Sequence, residues 1–191
     1  APEMIQQILP WYPARPNERI VLFPFSQSMN WQAAHVMEQL EQFANEAGVS
    51  LRLIQIGENQ SGAAHWPRIR EFAEANGWSC DLLGPQREQV ISQLMQIADL
   101  GISSAHIQLA GKSGAVIGMM EHGLPVFCTS LEPESRHPAS HNAEDLLFDL
   151  EQSDSTIVRL LKEPKAHKVQ SRLSTVAAQW LKDLEDARKH G

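Results

Sequence analysis

Residues 100–128 read LGISSAHIQLAGKSGAVIGMMEHGLPVFC. The stretch opens with an apolar run of strand length, Leu100 to Ser103, and breaks at Gly111-Lys112-Ser113-Gly114. It resumes as a helix-like run to His122 and turns through Gly123 into a second apolar run, Pro125 to Cys128. Short unbroken apolar runs of this kind suit strands buried on both faces. Strand, helix and strand in succession call for a right-handed crossover that places the two strands parallel.

The alternation continues toward the N-terminus. Ile20-Val21-Leu22-Phe23 reads as a strand, and a helical pattern runs from about Trp31 to Ala47 with Gly48 as its C-cap. Then come a strand Leu51 to Ile56, a helix near Trp66 to Ala75 followed by Gly77, a strand around Cys80 to Leu83, and a helix from about Glu88 to Ala98. The fold class is α/β, a doubly wound parallel sheet of the Rossmann-like kind. Residues 1–18 hold four prolines and read as a linker from a preceding domain, with residues 19–191 as one domain. Beyond Thr129 the regularity weakens, and Glu132 to Asn142 has the look of a long loop. Two helices close the chain, from about Thr156 to Lys162 and from about Val169 to His190. The second carries Leu173, Val176, Ala177, Trp180, Leu181 and Leu184 on one face.

Sixteen Lys plus Arg against twenty-three Asp plus Glu give a net charge of −7 over 191 residues. Such a balance offers no basic face for a nucleic-acid backbone. Cys80 and Cys128 each lie in or beside a buried-strand run, where a free thiol behaves as a small hydrophobe and a reducing compartment is expected. No apolar stretch approaches the ~20 residues that span a bilayer, and no secretion signal opens the chain, so the expected location is cytoplasmic.

Gly111-Lys112-Ser113-Gly114 carries the chemistry. A turn entering a helix presents unpaired backbone N–H groups, the positive end of a helix dipole and here a lysine ammonium, which together suit an anion, above all phosphate. A triphosphate-binding loop would need another glycine five residues before Gly111, where His106 stands. Gly111 and Gly114 have two possible reasons to be glycine: room for a ligand against the backbone, or a dihedral that other residues find strained. There is no Gly-x-Ser-x-Gly elbow, no dinucleotide glycine fingerprint after the first strand, and no histidine pair with zinc-site partners, so no metal is assigned. His137 and His141 are four apart but fall in the proline-containing loop.

The order of these pieces resembles the C-terminal, donor-binding domain of the two-domain GT-B glycosyltransferases. Leu53-Ile54-Gln55-Ile56-Gly57 looks like that family's second strand, Leu82-Leu83-Gly84 like its "xxLG" strand end, and Ile97-Ala98-Asp99-Leu100-Gly101-Ile102-Ser103 like its "xADxxxxxS" segment. His122-Gly123-Leu124-Pro125-Val126 is similar to the "xGxPV" that follows the donor-site helix. The Gly-Lys-Ser-Gly motif itself resembles a bacterial subgroup of such sequences. The resemblance implies a nucleoside diphosphate sugar as substrate, no further cofactor, and an acceptor-binding domain preceding this one. One departure stands out: many retaining enzymes of this fold carry Glu-x7-Glu here, and the matching positions hold Ala110 and Gly118. Glu121, three residues further on, is the carboxylate that could stand in as a ribose ligand.

Ligands of open parallel sheets bind outside the carboxyl ends of the strands. The donor-site candidates there are Gly111, Lys112, Ser113 and Gly114, joined by Ser26 and Gln27 after the first strand, Gly84 beneath a nucleobase, Ser104 and Glu121. Ser28, Gly57 to Gln60, Pro85 and Ser103 complete the strand ends. Plain N-capping would explain Ser26, Gln27 and Ser28 nearly as well, and a turn would explain Gly84 equally well. His106 reads as a solvent-facing loop histidine that could also reach the sugar or its phosphate, while Trp31, Trp66, Trp78 and Trp180 read as packing residues. The expected function is sugar transfer from a nucleoside diphosphate donor, with catalytic residues unassigned. The alternatives are a non-catalytic nucleotide- or sugar-binding module of the same fold and a stand-alone epimerase-like enzyme.

Overall fold

The computed structural model describes residues 6, 9, 10, 12–24, 32–58, 65–129, 146–150 and 154–163. Six strands, β1 (Glu18–Pro24), β2 (Ser50–Ile56), β3 (Ser79–Gly84), β4 (Leu100–Ser103), β5 (Val126–Cys128) and β6 (Leu147–Asp149), form one sheet in the order β3-β2-β1-β4-β5-β6. Every neighbouring pair is parallel. The helices are α1 (Ala33–Ala47), α2 (Trp66–Ala75), α3 (Glu88–Ile97), a 3-10 helix (Ile107–Lys112), α4 (Gly114–Glu121) and α5 (Asp154–Lys162). This is the expected doubly wound α/β sheet, and α1 ends as expected on Gly48 in the left-handed region, φ 70°.

Strand side chains alternate between two cores because successive residues point to opposite faces. Val21 and Phe23 enter one core with Met37 and Leu40 of α1, Ile69 of α2 and Leu161 of α5. Ile20 and Leu22 enter the other with Leu94 of α3 and Val116 and Met119 of α4. Trp66 and Trp78 are buried, Trp66 edge-on to Phe23 with ring centroids 5.5 Å apart. The second core also takes in Leu9, only 1% exposed, with Tyr12 and Ala14 packed against it, so part of residues 1–18 lies on this domain. The helix expected over 169–190, and with it Trp180, lies outside the described residues, as do Trp31 and the loop 132–142.

The strand β6 is not anticipated by the sequence. It is three residues long, half-buried and at the sheet edge, so neither length nor alternation announces it, although Phe148 stacks on Phe127 with centroids 5.0 Å apart.

Three polar or close-packing features fix the centre of the sheet. Asp99 Oδ2 accepts the Ile20 N–H at 2.7 Å while the Asp99 N–H donates to Ile20 O at 2.9 Å, clamping β4 onto β1 at their amino ends. Arg52, 8% exposed, sits between the buried Glu18 Oε1 at 3.2 Å and the half-buried Asp81 Oδ2 at 3.0 Å, joining β1, β2 and β3 through an ion network. Gly101 lies under α4 so closely that an added Cβ would overlap Met119 Sδ and lie 3.4 Å from Leu124. Among the described residues no helix is long and apolar enough to cross a membrane.

Candidate functional site

From β1 the chain builds β2 and β3 on one side, then returns to lay β4 on the other. The strand order therefore reverses between β1 and β4, and the crevice at their carboxyl ends is where open α/β sheets take ligands. The β1 side of that crevice leads into Ser26, Gln27 and Ser28, which lie outside the described residues. On the β4 side residues 104–129 are described, apart from the Gln108 side chain.

There β4 ends at Ser103, whose carbonyl accepts the Thr129 N–H at 2.9 Å and the Thr129 hydroxyl at 3.2 Å. Its own hydroxyl accepts the Ala105 N–H at 3.2 Å. These bonds tie the carboxyl ends of β4 and β5 together, with Ser104 leaving the strand between them. The 3-10 helix follows His106 and is anchored by Ala110, 1% exposed in the second core. The Ser113 N–H donates to Ala110 O at 3.0 Å, after which Ser113 turns extended and caps α4. Its Oγ accepts the Val116 N–H at 3.4 Å, and its carbonyl accepts the Ile117 N–H at 2.9 Å.

This arrangement leaves the first-turn N–H groups of Gly114 and Ala115 without intrahelical partners, as helix starts do. Lys112 is exposed at the end of the 3-10 helix beside them, and among the described residues it makes no ion pair. Gly111 and Gly114 are also exposed, and a Cβ on either would meet nothing within 4 Å. Neither has a positive φ. The dihedral reason for glycine at these two positions is therefore removed.

The other candidates are spread more widely. Gly84 ends the edge strand β3 with φ 63°, and its carbonyl accepts the Gly57 N–H at 2.8 Å, so a turn geometry that L side chains resist already accounts for glycine there. The buried Gln55 side chain completes that corner by donating to Ile56 O and Gly57 O. Glu121 is the last residue of α4, about 10 Å along the helix from Gly114 at 1.5 Å per residue, so the structure does not bring it to the turn. Asn59 and Gln60 lie outside the described residues, as do His137 and His141.

Two residues gain roles that the sequence does not reveal. Asp99, part of a segment matched by resemblance, is the clamp at the amino end of β4, far from the crevice. His122 lies within 2.7 Å of Gly118 O through Nδ1 and 2.8 Å of Ser92 Oγ through Nε2. A carbonyl only accepts, so Nδ1 carries the proton and, in the neutral ring, Nε2 accepts from the Ser92 hydroxyl. The ring thus pins α4 to α3. Neither cysteine is primed to react: burial pushes the Cys128 thiol up to about 12, with Asp149 adding to the shift. Burial likewise pushes Cys80 up to about 11 against the opposing charge of Arg70.

No protein-family model matches the chain, and no curated protein matches it by sequence. Among solved structures it is similar to WaaG, a glycosyltransferase involved in lipopolysaccharide biosynthesis, at 16% identity and a TM-score of 0.46 over 85% of this chain and 41% of that one. It is similar to a glycosyltransferase from Rickettsia africae ESF-5 at 15% identity and 0.48, over 100% and 53% of the two chains. The catalytic domain of starch synthase IV from Arabidopsis thaliana gives 11% and 0.47, over 94% and 40%. The chain spans about half or less of the length of each of these neighbours.

Proposed function

We propose that this chain is the donor-binding half of a glycosyltransferase, holding a nucleoside diphosphate sugar for transfer to an acceptor bound by a preceding domain. The observation that supports it most is the pair Gly111 and Gly114: two exposed glycines with ordinary φ and open space over each Cβ position, at the start of a helix in the switch-point crevice. Among the described residues neither φ nor a neighbour requires glycine there, whereas a phosphate seated on the backbone would. In this reading the diphosphate lies on the N–H groups of Gly114 and Ala115, with the Lys112 ammonium alongside. As the sugar bond breaks, negative charge grows on the departing diphosphate, and these fixed donors hold it without reorganising. Ser104 borders the same crevice, and this reading calls for no cofactor beyond the nucleotide-sugar substrate.

The test is calorimetric titration of nucleoside diphosphates and their sugars into the protein and into Lys112→Ala. Removing one charge-assisted bond should weaken binding by about 1.5–3 kcal/mol while leaving the melting temperature of the free protein unchanged. Equal affinity of the two proteins for every diphosphate, or no affinity at all, would sink the phosphate role.

A second reading, a binding module of the same fold without catalysis, is favoured by Ala110 and Gly118. Ala110, standing where many retaining relatives have a carboxylate, is packed in the core, and Gly118 is half-buried, its Cβ position 3.7 Å from Met95 Cε. Donor affinity without donor hydrolysis or transfer, in a protein carrying its preceding domain, would select it.

A further inference from the structure

A groove of about 290 Å³ runs between the N-terminal halves of α1 and α2, on the face of the sheet opposite α4. Its floor is Met37 and Ile69, each 1% exposed, and Phe72 and Ala34 form its walls. Arg68 and His65 line it at the α2 end. Arg68 is exposed and makes no ion pair among the described residues, in a chain whose net charge is −7. A lone guanidinium over an apolar slot is complementary to a ligand with an anionic head and an apolar body. The volume lies at the small end of organic-ligand pockets, which run from ~300 Å³ upward, and sets a low limit on that body.

The helix ends support the same chemistry. The first turns of α1 and α2 contain no acidic residue, and neither Gln32 nor His65 makes a side-chain cap bond. First-turn residues of both helices line the groove, so the first-turn N–H groups of α1, those of α2 apart from Pro67, which has none, and the Arg68 fork lie near one mouth. Several donors suit the three oxygens of a phosphate better than the two of a carboxylate.

We infer that this groove binds a small phosphate monoester with a short alkyl body, at a site separate from the Gly111–Gly114 turn. The probe is octyl phosphate below its micelle concentration, followed by calorimetry. The expected result is one bound molecule, with inorganic phosphate and octanol each at least about tenfold weaker because each lacks half of the match. Ala34→Trp, at an exposed position, fills the slot and should abolish binding while a urea melt shows the fold intact. Arg68→Gln should weaken octyl phosphate about tenfold and leave octanol unchanged. Lys112→Ala should leave octyl phosphate binding as it is. Wild-type binding in Ala34→Trp, loss of binding in Lys112→Ala, or association with anionic lipid vesicles but not with monomeric octyl phosphate would each overturn the inference.

Discussion

Gly114→Ala is the substitution that most sharply separates a fold requirement from a ligand requirement. Gly114 opens α4 with an ordinary φ, and a methyl group there would have no neighbour within 4 Å. Alanine at a position whose backbone it can adopt stabilises a protein by about 0.4–1 kcal/mol, because the unfolded chain loses freedom. For a domain of this size 1 kcal/mol moves the melting temperature by about 2–4 °C, so the free variant should melt roughly 1–4 °C higher than wild type. The same methyl would stand where a phosphate must approach the Gly114 and Ala115 N–H groups, and diphosphate affinity should fall about tenfold or more, or ~1.4 kcal/mol. Calorimetric titration and thermal melting on one preparation give both numbers. A variant that is more stable and binds as well as wild type would refute the ligand argument, and one that is less stable would refute the reading of the backbone.

Gly101→Ala should behave in the opposite way: its methyl would overlap the fully buried Met119, so a loss of about 1–3 kcal/mol is expected in urea unfolding, partly relieved when Met119→Ala is added. Arg52→Ala leaves Glu18 buried and half of its network gone, and should cost about 3–5 kcal/mol by the same assay. The raised Cys128 thiol keeps its proton in the folded state to a higher pH than in the unfolded chain, so the unfolded chain loses protons first as pH rises. The stability that follows is intact below pH 9.0 and drains away as pH climbs toward about 12. Cys128→Ala should flatten that part of the profile relative to wild type, and a parallel fall in both proteins would show the thiol to be uninvolved.

The inner strands are legible in sequence because a parallel strand covered on both faces is a short unbroken apolar run, and Ile20 to Phe23 and Leu100 to Ser103 sit where that rule puts them. At the edge the rule weakens: β6 is half-buried and three residues long, too brief for any period. The turn at Gly111–Gly114 is legible as a helix start, because serine after a break is an N-cap signal and Ser113 does cap α4. What glycine does there is not, since only the dihedrals separate Gly84, which needs its positive φ, from Gly114, which does not. The pairing of His122 with Ser92 joins residues 30 apart on two helices and leaves no local trace.

The clamp between Ile20 and Asp99 spans 79 residues, whereas β1, β2 and β3 follow one another along the chain. Non-local closure of that kind is slow, because its loop entropy is spent before any contact repays it. The three-strand unit β1–β3 can assemble by short-range pairing, and the rest then joins it at two places: β4 pairs with β1, and α5 packs on α1, where the Arg19 side chain donates to Leu161 O at 2.7 Å. The crevice lies at the end of the β1–β4 seam and does not exist until docking is complete. A ligand held by both sides would therefore act as a staple across the β1–β4 joint, slowing the parting of the two strands more than it slows fraying at either edge, and amide exchange along β4 would be where such a molecule leaves its mark.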